Sequence, residues 1–285
     1  MGRTFRVEVN GVGLAVTDHA TPGRGGPTLV LAHATGFCGG VWEPLLPALS
    51  RRFRVVTYDQ RGHGDSDKPD SAYAWADFAA DLAGLIDALG AGPVVAAGHS
   101  KGGAAVAGAA ARHPGRISRA VLLDPVLVPP PVPGEERASS VRLAEGARRR
   151  REAWESEEAL CASLVARPPF SAWRREFVEA YARHGTAPAP GGGIRLKCPG
   201  EIEARVYEGA SGSSSLSFLR DARIPLLIVA GQGSDVLPPD LARLSLSTAA
   251  DARLVVLPGV GHFVPMEAPE RTVELLCGFL APEAA

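Results

Sequence analysis

At 285 residues, the chain is long enough for one large α/β domain, or one domain with a small insertion, around a full hydrophobic core. Its formal net charge of −1 implies neither nucleic acid nor an acidic membrane surface as a partner. No apolar stretch of about 18 residues lacks polar breaks, so no membrane span is expected.

Strands and helices then alternate. Thr4 to Val9 and Val12 to Thr17 flank Asn10-Gly11, a strong hairpin signal. Thr28 to Ala32, Phe53 to Tyr58, Pro93 to Ala97 and Ile117 to Leu123 are short apolar runs of buried-strand type. Trp75 to Leu89 places Phe78, Leu82, Leu85, Ile86 and Leu89 on one helical face, and Gly90 stops it. Ala104 to Arg112 reads as a helix of small residues that can lie close on a sheet. Later, Pro225 to Ala230 and Leu254 to Leu257 read as strands, and Pro269 to Leu280 as a closing helix. The pattern predicts an α/β fold: a mostly parallel sheet of about eight strands with helices on both faces.

One segment breaks the rhythm. Between Val126 and Asp221 no strand stands out, and Pro129 to Gly134 reads as a stiff linker. Val141 to Val165 and Ala172 to Arg183 read as helical, while Gly191 to Gly193 and Ser211 to Ser215 read as loops. The expectation is a mainly helical lid over residues 126–221, inserted into a core of residues 1–125 and 222–285. Glu152 and Glu155 follow Arg148 and Arg151 by four residues, so the Arg148 to Arg151 run reads as an ion-paired helix face rather than an anion site. Trp154, Trp173 and Phe177 are expected to pack inside the lid, with a place in a pocket wall as the alternative.

The chemistry centres on Gly98-His99-Ser100-Lys101-Gly102, which fits G-x-S-x-G between a strand and a helix. Such a strained turn needs small neighbours and sets the serine oxygen at a helix N-terminus, where backbone N–H groups favour developing negative charge. A serine hydroxyl also needs a base, and the base an orienting acid. His262, in the loop Gly259-Val260-Gly261-His262 after the last strand-like run, is the candidate base. Asp235, in Gly231-Gln232-Gly233-Ser234-Asp235, is the favoured acid, and Asp124 at the end of Leu122-Leu123 is its rival. All stand at carboxyl ends of strands, where open α/β sheets place their sites.

With Asp59-Gln60-Arg61-Gly62-His63-Gly64-Asp65-Ser66 and His33-Ala34-Thr35-Gly36-Phe37, the sequence resembles the α/β-hydrolase family over nearly the whole chain outside the lid. The resemblance implies an oxyanion hole made by the backbone N–H groups of Thr35 and Lys101. Three positions depart from the family pattern. Ala34 stands where a glycine is usual, Lys101 where the elbow carries Met, Gln or Leu, and the Asp235 loop is one residue longer than Gly-x-x-Asp. Family dehalogenases and epoxide hydrolases use aspartate at the elbow, so Ser100 argues against both.

Other chemistry finds little support. Gly23 to Gly26 precedes a strand, which is wrong for nucleotide binding, and no paired histidine spacing suggests a metal. Cys38, Cys161, Cys198 and Cys277 are scattered, and Cys38 has no partner motif that would make it a nucleophile. The start, Met-Gly-Arg-Thr-Phe-Arg, lacks a signal peptide's apolar core, so reduced thiols and a cytoplasmic location are expected. The resulting expectation is a cofactor-free serine hydrolase for a small-molecule ester, lactone or thioester. Acyl-thioester release, carbon–carbon bond hydrolysis, a cyclisation or elimination step, and a non-enzymatic small-molecule receptor are the alternatives. Because a lone buried ammonium is costly, the Lys101 side chain is expected to pair with Asp124, or else to face an anionic substrate.

Overall fold

A computed structural model describes residues 2–19, 26–70, 73–130, 137–210 and 213–281. Positions 23–25 of the glycine run, 131–134 of the proline-rich linker and 211–212 of the serine loop lie outside the described residues.

Eight strands form one sheet, in the order β1-β2-β4-β3-β5-β6-β10-β11. They are β1 (Arg3–Val9), β2 (Val12–Asp18), β3 (Thr28–Ala32), β4 (Arg54–Tyr58), β5 (Val94–His99), β6 (Ile117–Leu123), β10 (Leu226–Gly231) and β11 (Ala252–Leu257). β1 and β2 are antiparallel, turned by Asn10 and Gly11 at φ 48° and 73°, as a two-residue hairpin requires. From β4 to β11 every neighbouring pair is parallel.

The central strands are buried on both faces, so alternate residues feed two cores. Leu29, Leu31, Val95, Ala97, Val121 and Leu123 join one cluster, while Val30, Ala32, Ala96, Ala120 and Leu122 join the other. The first face carries α1 (Leu46–Leu49) and α11 (Pro269–Leu280), and the second carries α2 (Trp75–Leu89) and α3 (Lys101–Arg112). In α3 every residue from Lys101 to Ala110 is buried, because glycine and alanine let the helix lie directly on the strands.

The segment between β6 and β10 contains α4 (Ala138–Arg148), α5 (Glu157–Val165), α6 (Arg175–His184), α7 (Gly200–Gly209) and α8 (Ser215–Asp221). It also holds strands that the sequence reading missed. β7 (Ala153–Trp154), β8 (Thr186–Pro188) and β9 (Ile194–Leu196) form a small antiparallel sheet. Strands of two or three residues are too short to leave a periodic signal. The arginine run is not a helix face either, since α4 ends at Arg148. Arg148 pairs with Glu201 and Glu208, and Glu152 instead accepts from the Gly200 N–H. Only Arg151–Glu155 forms as expected. α9 (Pro239–Thr248) precedes β11, and α10 (Val264–Glu267) follows it.

Candidate active site

The elbow forms where β5 meets α3. Ser100 sits at φ 57°, ψ −122°, a conformation that costs an L-residue about 1–3 kcal/mol and persists only when its surroundings impose it. They do so through backbone bonds: Ser100 N donates to Leu123 O, and Gly103 N, Ala104 N and Val126 N donate to Ser100 O. A Cβ at Gly98 would overlap the Gly102 carbonyl, and one at Gly102 would overlap the carbonyls of Ala32 and His33. These contacts explain why glycines flank the serine.

Three side chains from three strand ends make a continuous hydrogen-bonded chain. His262 Nε2 lies 3.0 Å from Ser100 Oγ, and His262 Nδ1 lies 2.7 Å from Asp124 Oδ1. A carboxylate only accepts, so Nδ1 carries the proton and the Nε2 lone pair faces the serine hydroxyl. The carboxylate that meets His262 is therefore Asp124 and not the expected Asp235. Asp235 is exposed, whereas Asp124 is fully buried at the end of β6. Asp124 is also ringed with donors: Oδ1 accepts from Ser234 Oγ at 2.6 Å, and Oδ2 accepts from Gly231 N at 2.8 Å.

The extra residue in the β10 loop accounts for the difference. The fourth residue counted from Gly231 is Ser234, and its side chain is the one that points inward. Asp235, one step later, turns out to solvent.

The histidine loop has supports that sequence reasoning missed. Glu267 accepts from the N–H groups on both sides of His262, from Gly261 at 2.6 Å and from Phe263 at 3.1 Å. The ring of His99, next to Ser100, bonds the His262 carbonyl through Nε2 at 3.0 Å. Burial keeps His99 well below the usual imidazole pKa, so it is a neutral strut.

The amides of Thr35 and Lys101 have no acceptor among the described residues. Thr35 follows β3, and Lys101 opens α3, whose first N–H groups have no intrahelical partner. The Lys101 side chain departs from expectation. It forms no pair with Asp124, whose acceptor atoms are taken by His262, Ser234 and Gly231. It runs the other way, and Nζ donates to Gln60 Oε1 at 2.8 Å.

Ser100 is only 7% exposed, and an aromatic group packs beside its partner His262, whose ring meets Phe263. Phe37 makes edge contacts with Trp173, Tyr181 and Phe263, and Trp173 also packs on Phe170 and Phe263. Trp154 and Phe177 are buried in the same apolar cluster. Next to Tyr181, Arg150 pairs with Glu203 and donates to Tyr181 Oη at 3.0 Å. A Cβ on Gly36 would stand 2.9 Å from Glu203 Oε1 and 3.4 Å from Arg150 Nη1, so this pair borders the loop holding Thr35. Burial works against the Arg150 charge, but Tyr181 and Glu203 outweigh it and hold its pKa above the ordinary value. Among the described residues no cluster of His, Cys, Asp or Glu is arranged to hold a metal ion, and no helix is long and apolar enough to cross a membrane.

A mostly parallel sheet with a strained serine elbow and a histidine at its carboxyl edge defines a hydrolase of the α/β type. The chain belongs to the alpha/beta hydrolase family, whose sequence profile matches residues 29–275. It is 30% identical over 276 residues to the 2-(acetamidomethylene)succinate hydrolase of Mesorhizobium japonicum, covering 96% of this chain and 94% of that one. It is also 30% identical over 257 residues to a non-heme haloperoxidase of Rhodococcus erythropolis, covering 84% and 86%. The crystal structure of an E-2-(acetamidomethylene)succinate hydrolase superposes with a TM-score of 0.85 at 29% identity, over 98% of this chain and 99% of that one. The enol-lactonase of Burkholderia xenovorans has the same fold, with a TM-score of 0.76 at 24% identity over 97% and 99%.

Proposed function

We propose that the protein is a cofactor-free serine hydrolase that cleaves the acyl bond of a small substrate through an acyl-enzyme on Ser100. The observation that carries this reading is the unbroken run Ser100–His262–Asp124 at 3.0 and 2.7 Å. Ser100 Oγ attacks the carbonyl carbon while His262 Nε2 takes its proton. The carbonyl oxygen gathers charge against the N–H groups of Thr35 and Lys101. Asp124 holds the imidazolium. His262 then returns the proton to the leaving oxygen, sulfur or nitrogen as the carbonyl bond to it breaks. Water, deprotonated by His262, releases the acid and restores the serine. In this reading residues 126–221 form the lid. Esters, lactones and thioesters fit these steps.

One observation refines the substrate. Arg150 and Glu203 make a charged border to the oxyanion loop, joined through Tyr181 to the aromatic group of Phe37, Trp173 and Phe263. An acyl group with a carboxylate directed to Arg150 suits that border, and the relative from Mesorhizobium japonicum is named for a succinate derivative.

A fluorophosphonate tests the reaction, since only a base-activated hydroxyl beside oxyanion donors attacks it readily. It is expected to label Ser100 alone, and labelling undiminished in Ser100→Ala would refute the proposal. Arg150→Met is expected to slow hydrolysis of the p-nitrophenyl monoester of succinic acid more than that of p-nitrophenyl acetate. Equal losses would remove the carboxylate from the reading.

A further inference from the structure

The steps above use the backbone of Lys101 and leave its side chain idle, although that side chain is 1% exposed. It leaves the first turn of α3 toward the loop after β4. There Nζ donates to Gln60 Oε1 at 2.8 Å and stands 3.6 Å from the centroid of the Phe78 ring. Lys101 forms no ion pair among the described residues. A buried amine with one neutral acceptor is an expensive feature, and burial pushes its pKa well below the lysine range. Amine and ammonium both carry N–H groups, so either form can donate to the Gln60 carbonyl.

Gln60 carries the contact onward. Its Nε2 donates to His33 O at 2.5 Å, and its backbone N–H donates to His33 Nε2 at 3.0 Å. Since Nε2 accepts, the ring proton is on Nδ1, which donates to Ala34 O at 2.7 Å. Burial first, and Lys101 second, hold the His33 pKa down to about 3, so this neutral tautomer persists at physiological pH. His33 and Ala34 are the two residues that lead into Thr35. The side chain of Lys101 thus reaches the loop that bears one oxyanion donor, while its own backbone supplies the other.

We propose that Lys101 Nζ, acting through Gln60 and His33, is a positioning group that sets the two amides of the oxyanion hole relative to each other. The inference rests on Ser100 acting as the nucleophile. Direct packing fixes only part of the geometry. Gly102 lies against the carbonyls of Ala32 and His33, which sets how closely α3 approaches β3. The direction of the Thr35 N–H depends on how the peptides of His33 and Ala34 are turned. Gln60 holds both the His33 carbonyl and the His33 ring that binds the Ala34 carbonyl. Lys101 fixes the amide plane of Gln60 from its far side, so that Oε1 accepts the amine and Nε2 faces His33.

Lys101→Met removes the amine and keeps an unbranched side chain of similar length. With a fluorophosphonate as the probe, its phosphoryl oxygen takes the place of the oxyanion. The maximal rate of Ser100 phosphonylation in the folded protein is expected to fall roughly 30- to 100-fold, because a displaced oxyanion donor costs on the order of 10²-fold. The half-saturating probe concentration is expected to stay within about two-fold. Gln60→Met should reproduce this split, and the double variant should be no slower than the slower single, as for two members of one chain. A merely structural lysine would lower the melting temperature and leave the maximal rate of the folded protein intact, which would overturn the inference. Multiplying losses in the double variant would overturn it too. If Lys101→Met does not fold, Gln60→Met decides alone by the same rate. Failure of the wild-type protein to label at Ser100 would refute the nucleophile and this inference with it. Wild-type labelling with undiminished rates in both variants would refute the positioning role only.

Discussion

The loops after β6 and β10 end adjacent parallel strands, and each offers one carboxylate at the same edge of the sheet. Asp124 is fully buried, accepts three hydrogen bonds and touches the candidate base. Asp235 is exposed and makes no hydrogen bond among the described residues. The contrast shows what a buried acid requires. A carboxylate removed from water must recover its hydrogen bonds from fixed donors, and three surround Asp124. Two of them, the Gly231 N–H and the Ser234 hydroxyl, come from the β10 loop. That loop does not compete with β6 for contact with His262; it supplies two of the three donors that hold Asp124.

The largest expected effect follows directly. Asp124→Asn keeps the shape but presents an amide to His262 Nδ1, which disturbs the tautomer and removes the charge that holds the imidazolium. Turnover of p-nitrophenyl acetate is expected to fall by about 10⁴. Near-normal turnover, with a collapse in Asp235→Asn instead, would reverse the comparison. A second variant sharpens it. Ser234 Oγ is 2.6 Å from the same Asp124 oxygen that binds His262, so a carboxylate at position 234 would lie within reach of the imidazole. Ser234→Asp in the Asp124→Asn background is expected to recover about 10² of the lost turnover. No recovery would mean that the β10 loop can only donate.

The fold was legible in the sequence because buried parallel strands announce themselves as short apolar runs, as at Thr28–Ala32 and Leu226–Gly231. The elbow was legible for a related reason, since Gly98 and Gly102 mark contacts that exclude a Cβ. His262 could be found from its glycine-rich loop at the end of a strand. The carboxylate that meets His262 was harder to choose, because Asp124 and Asp235 both follow strands, and the clue against Asp235 was a one-residue offset in its loop. Asp124 takes φ 43° at its strand end, a left-handed conformation that aspartate tolerates better than most residues, and no local pattern announces it. The Lys101 side chain failed as a prediction for a different reason. Charge pairing suggested Asp124, yet the side chain leaves α3 toward Gln60 and Phe78 on the opposite side of β5 from β6. Strand order decides that direction, and strand order is not written in local sequence.

A smaller effect tests the support that the β10 loop gives. Ser234 Oγ donates to Asp124 and accepts from the N–H groups of Val236 and Leu237 at 3.1 Å each. Ser234→Ala leaves a buried carboxylate one donor short and frees two loop amides. Chemical denaturation is expected to show a loss of about 1–3 kcal/mol, the usual cost of a buried group left unsatisfied. Turnover is expected to fall roughly ten-fold, because Asp124 keeps Gly231 N and His262 but is less firmly aimed. Unchanged stability would mean that water replaces the hydroxyl easily, and the difference between the two loops would then lie in burial alone.

The smallest expected effect is at Asp235 itself. Its side chain faces solvent, so replacing it with asparagine removes a charge that water and salt already screen. An exposed charge of this kind that makes no ion pair among the described residues contributes little. Asp235→Asn is therefore expected to keep turnover within about two-fold of wild type and stability within about 0.5 kcal/mol, as for surface substitutions generally. Steady-state rates at low and moderate salt separate the remaining possibilities. A loss that shrinks as salt rises would mark Asp235 as a distant electrostatic contributor. A loss of 10³ or more at every salt concentration would mean that the β10 loop turns inward during catalysis and that Asp235 reaches His262 after all.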